Sequence, residues 1–128
     1  MGYDIGKLVQ GNFIDTIKKL TEELKKEGFG VITEIDLKVK FKEKLNVDFR
    51  NYKILGACNS ALAFEAIQKD DKIGIMLPCN ILIQEHLNGK VEVSAINPLE
   101  TVGILHNNQL KNLATEVSNK LKLVVERL

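Results

Sequence analysis

The stretch YKILGACNSALAFEAIQKDDKIGIMLPCN, residues 52–80, holds both cysteines of a 128-residue chain, and each is followed at once by asparagine. Its arrangement decides the fold. YKILGAC (52–58) reads as a strand that ends at the first Cys-Asn. Asn59 or Ser60 can cap a helix, SALAFEAIQKD (60–70), whose small residues Ala61, Ala63 and Ala66 suit close packing on a sheet. KIGIMLPCNILIQEH (72–86) then reads as one long strand with Pro78 inside it. A proline there removes one ladder donor, which predicts an edge position, a bulge or a bend.

Two strands joined by a short helix are typical of parallel neighbours with a right-handed crossover. If these two run parallel and in phase, Tyr52 aligns near Ile73 and Cys58 falls beside Cys79. The repeated Cys-Asn is then one site written twice. If they are antiparallel or not adjacent, Cys58 lies at a strand end and Cys79 near mid-strand. The two cysteines are then packing residues.

Working downstream, LNG (87–89) precedes a second strand, KVEVSAI (90–96). A two-residue Asn88-Gly89 loop would pair Ile83 with Ser94 and mismatch the apolar faces. A three-residue loop pairs Ile83 with Val93, Ile81 with Ala95 and Glu85 with Val91. One residue of slip inverts every side chain, so the pattern selects the longer loop, with Gly89 left-handed. After Pro98, LETVGILHN (99–107) reads as a loop. The last segment carries Leu110, Leu113, Val117, Leu121, Val124 and Leu128 on one helical face, with Asn107 or Asn108 as cap.

Upstream, YDIGKLV (3–9) can form a first strand. Asn12 caps a helix with Phe13, Ile17, Leu20 and Leu24 at helical spacing, Asp15 in its first turn and Gly28 as its stop. GVITEI (30–35) is β-branched and reads as a strand. DLKVKFKEKL (36–45) alternates like a strand, yet Leu37, Phe41 and Leu45 share a helical face. Asp36 as cap and Asn46 as left-handed terminator select a short helix, with lysines 38, 40, 42 and 44 on a solvated face. The order β-α-β-(α)-β-α-β-β-α implies the α+β class, a mixed or antiparallel sheet with helices packed against it.

Acidic and basic residues nearly cancel, at a net charge of +1, and Trp is absent. That balance argues against a nucleic-acid binder, which needs a basic excess or a stacking platform. The longest apolar run, IGIMLPCNILI (73–83), is interrupted by Pro78 and Asn80 and falls short of the roughly 20 residues of a membrane helix. The first residues carry no basic leader before an apolar run, and Gly6 stands where a myristoylation signal wants Ser or Thr. These features predict a soluble, cytoplasmic, single domain over residues 1–128 with free thiols. Neither nucleic acid nor membrane is expected as a partner, and the sequence requires no cofactor.

GFGVITEIDLKVKFKEKLNVDF, YKILGACNSALAFEAIQ, IGIMLPCNILI and VEVSAINP, in that order and spacing, resemble the bacterial and archaeal family named domain of unknown function 302. Ser60 stands where that family often has proline after Cys-Asn, and Asn46 where it often has glycine. Both substitutes suit the local geometry, since Ser60 can start a helix and Asn46 tolerates left-handed φ. The resemblance implies a β-α-β(4)-α arrangement similar to the TATA-binding-protein-like fold class, and a homodimer. It implies no activity.

Cys58, Asn59, Cys79 and Asn80 are the candidate site. One reading makes the thiols small buried hydrophobes, with Asn59 a helix cap and Asn80 satisfying backbone near Pro78. The other makes Cys58 and Cys79 a redox pair or soft-metal ligands. A metal would need two further donors, which no CxxC, CxxH or HxxxH spacing supplies but a second copy could. His86 is expected on the surface beside the hairpin turn, and His106 near the start of the last helix. Glu22-Glu23 and Asp70-Asp71 read as surface carboxylates, and no nucleophile–base motif is present.

Three functions follow. A non-catalytic dimeric module binding a small ligand or protein would show an apolar pocket without perturbed titratable groups. A thiol or metal protein would show thiols of low pKa. A small enzyme would show convergent polar side chains in a cleft.

Overall fold

The computed structural model describes residues 2–102 and 107–128. The alternating segments form strands β1 (Asp4–Val9), β2 (Gly30–Asp36), β3 (Tyr52–Cys58), β4 (Cys79–Glu85) and β5 (Val91–Ile96). They make one sheet in the order β1-β5-β4-β3-β2, and every neighbouring pair is antiparallel. The helices are α1 (Phe13–Lys26), α2 (Leu37–Leu45), α3 (Ser60–Lys69), α4 (Pro98–Val102) and α5 (Asn108–Glu126), with a 3₁₀ turn at Ile73–Met76.

Period-two alternation puts one set of side chains on one sheet face. There Leu55, Ala57, Ile81, Ile83, Val91, Val93 and Ala95 are buried with Leu20 and Leu24 of α1 and Leu121 and Val124 of α5. Each larger aliphatic side chain fully removed from water stabilises the fold by about 1.5–3 kcal/mol. The other face is largely open. Leu8 and Ile35 are exposed, Ile54 and Leu82 half-buried. One end of that face is covered by stacked Phe41, Phe49 and Tyr52, with the Arg50 guanidinium over the Phe49 ring.

Local chemistry sets the element ends as the residues predict. The Asn12, Asp36 and Asn59 side chains each accept from the free N–H of the third residue of their helix, Asp15, Val39 and Leu62. Asn46 ends α2 at φ 53°, and no α2 residue is buried. The hairpin has the three-residue register, Ile83 facing Val93 and Ile81 facing Ala95, with Gly89 at φ 84°.

Three expectations are corrected. The segment 72–86 is not one strand, because the 3₁₀ turn occupies Ile73–Met76 and β4 begins only at Cys79. Of the three settings expected for Pro78, the bend is the one found, and β4 is interior to the sheet. The loop expected at 99–107 begins with α4, while residues 103–106, His106 among them, lie outside the described residues. Glu23 is buried, not a surface carboxylate, because α5 ends over it. Its Oε2 accepts from Lys26 Nζ at 2.7 Å and its Oε1 is 3.8 Å from Arg127 Nη1. The Lys26 hydrogen bond holds the Glu23 carboxyl below the usual carboxylate range.

The decisive correction concerns β3 and β4. They are adjacent but antiparallel, with Ala57 opposite Cys79. The segment 59–78 therefore leaves and returns at the same end of the sheet and lies over that end instead of crossing a face.

Candidate functional site

That connection builds one wall of a cavity. Asn59 caps α3 by accepting from Leu62 N, and its Nδ2 donates to the Glu27 carbonyl at the end of α1, 3.3 Å away. Gly28, at φ +86°, passes so close that a Cβ there would sit 3.0 Å from Asn59 Nδ2. The helix thus starts from a fixed point. It buries no residue; Leu62, Ala63 and Ala66 line the cavity, while Phe64 and Ile67 are exposed. The 3₁₀ turn follows from Asp70, whose carboxylate and carbonyl accept from the Lys72 and Ile73 N–H groups.

The opposite wall comes from α4 and α5, through Pro98, Val102, Leu110, Leu113, Ala114 and Val117. Its anchor is Asn97, buried between β5 and α4. Asn97 Oδ1 accepts from Ser118 Oγ at 3.0 Å and from Leu99 N at 3.2 Å, and its N–H donates to the Tyr3 carbonyl at 2.7 Å. No motif in the sequence marks Asn97 or Ser118 as an anchor. The Asn-Pro dipeptide was the available signal, as a turn initiator. The floor is the sheet end itself: Ala57, Cys58, Cys79, Asn80 and Ile96. The volume of this partly open cavity is about 520 Å³, within the range of small-molecule pockets.

Cys58, Asn59, Cys79 and Asn80 all line this cavity, although the strands that carry them are antiparallel and not parallel, the arrangement on which their meeting had depended. Cys58 ends β3, Cys79 begins β4, and the antiparallel register brings both to the cavity floor with Asn59 beside them. The shortening of β4 is what moves Cys79 from mid-strand to the sheet end. Asn80, opposite Gly56, is exposed at the cavity's edge and does not brace the Pro78 bend by any side-chain hydrogen bond. His86 stands at the far end of β4, half-buried, with Nε2 2.9 Å from Glu92 Oε1.

Burial, and then the neighbouring Cys58, push the Cys79 thiol up to about 11. It is held as a thiol, which is neither the nucleophile nor the metal-binding form. Among the described residues no three His, Cys, Asp or Glu side chains gather where a metal could sit. Nor is any helix among them long and apolar enough to cross a membrane. Glu100 is the one charged side chain among the described residues that line the cavity.

The family described as "Domain of unknown function DUF302" matches residues 5–128. Among solved structures, the chain is similar to an uncharacterized conserved protein DUF302 from Bacillus stearothermophilus. The two are 28% identical with a TM-score of 0.91, over 98% of this chain and 97% of that one. Comparison with curated proteins returns no match.

Proposed function

The chain belongs to the DUF302 family, and from that premise and the cavity we propose a non-catalytic module that holds one small apolar molecule at the end of its sheet. The observation that carries this reading is the character of the cavity. Its volume of about 520 Å³ is walled chiefly by aliphatic side chains from α3, the 3₁₀ turn, α4 and α5. Apolar surface removed from water supplies the binding energy.

The thiol reading is weaker, because the same burial that makes the cavity apolar keeps Cys79 protonated near neutral pH. An enzymatic reading would rest on polar groups converging in the cavity. Of the polar side chains that reach it, Asn59 and Thr101 are occupied by neighbouring backbone, while Asn80 and Glu100 stand exposed at its edge. The module works as a homodimer in this proposal. Beside the family resemblance, the open sheet face that presents Leu8 and Ile35 supports the dimer.

Ala66→Phe tests the pocket. The phenyl ring would project from α3 into the cavity and occupy part of its volume. The variant is expected to bind the uncharged dye Nile red at least about tenfold more weakly than the wild type. Circular dichroism should show the fold retained. Undiminished dye binding by the folded variant would overturn the proposal.

A further inference from the structure

The cavity is apolar within, and among the described residues that line it charge stands at one place. Among the described lining residues there is no Lys, Arg or His, and the one acidic side chain, Glu100, is exposed on α4. It therefore stands where the cavity meets water. An anion would meet its carboxylate there. The starts of α3 and α5 also reach the cavity, but side chains already engage them. Asn59 accepts from Leu62 N, and Asn107 accepts from the N–H groups of Gln109 and Leu110. Thr101 Oγ1 donates to the Pro98 carbonyl, 3.2 Å away, so it too is occupied.

An apolar body with an acidic head would bury its chain well and leave its charge beside Glu100. One with a basic head would place opposite charges together at the same point. We propose that the ligand is an apolar amine: its hydrocarbon body fills the cavity and its ammonium group pairs with Glu100 at the mouth. This rests on the reading of the cavity as a ligand site, and adds to it the class of molecule taken.

The test is displacement of Nile red by decylamine, decanol and decanoate, equal in chain length and differing in head-group charge. It is done at low ionic strength, because salt screens an exposed charge. The expected order is amine, alcohol, carboxylate, with about fivefold between the first and last, as befits one solvent-exposed charge acting by attraction and repulsion. Glu100→Gln, a change at an exposed position, should bring amine and carboxylate to within about twofold. Equal displacement by all three, tighter binding of decanoate, or an amine preference that survives Glu100→Gln would overturn this inference and leave the pocket standing. If the dye does not bind at all, the pocket reading fails, and this one with it.

Discussion

Gly56→Ala is expected to destabilise the protein by about 1–3 kcal/mol, the range for forcing extra volume into a packed site. Gly56 lies in β3, opposite Thr33 of β2 and Asn80 of β4. A Cβ there would come 2.7 Å from Pro78 Cγ and would collide with Thr33 Oγ1. Both neighbours are hard to move: a proline ring is rigid, and Thr33 sits beside the irregularity in β2 between Val31 and Thr33. The sign is the informative part. An uncrowded glycine inside a strand gains about 0.5–1 kcal/mol on replacement by alanine. Urea denaturation distinguishes the outcomes, and a stabilised variant would show that the three strands do not meet as described. Adding Thr33→Ala to Gly56→Ala should recover part of the loss.

Stability should also fall steeply as pH rises from about 9 to 11, through Cys79. Its folded pKa is raised to about 11 from an ordinary value of 9.0. The folded state therefore holds this proton more tightly than the unfolded chain does. The resulting stability is complete below pH 9 and is lost as pH rises through 11. At most about 2–3 kcal/mol is involved. Lysines and tyrosines titrate nearby, so the comparison is with Cys79→Ala. The variant pays a pH-independent packing cost and should lack the extra slope. Equal slopes for the two proteins between pH 9 and 11 would place the Cys79 thiol in water and not in the cavity floor.

Where local chemistry decides structure, the sequence was legible. Asn12, Asp36 and Asn59 cap helices because a short polar side chain reaches the free N–H groups of the next turn, and that depends on nothing distant. The hairpin register at Ile83 and Val93 could be derived because only one loop length matches two apolar faces. The direction of β4 could not. A helix between two strands fits a crossover to a parallel neighbour, and nothing in residues 59–78 records that this segment returns to the end it left. Ile73, Gly74, Ile75 and Met76 are apolar enough for a strand, and that pattern masks the local signals for the 3₁₀ turn, Asp70 before it and Pro78 after it. The meeting of Cys58 and Cys79 was legible as a repeated dipeptide but not as geometry. The rest of the cavity was hidden further, since its walls come from segments nearly sixty residues apart.

The pocket claim is tested most directly by native mass spectrometry of protein purified without detergent or added metal and then incubated with decylamine or decanol. The expected species has two chains, each carrying one molecule of the apolar compound, with the adduct lost in Ala66→Phe. A single chain would remove the dimer alone. Chains that take up neither compound, or that carry stoichiometric metal lost on Cys58→Ser or Cys79→Ser, would contradict the central claim.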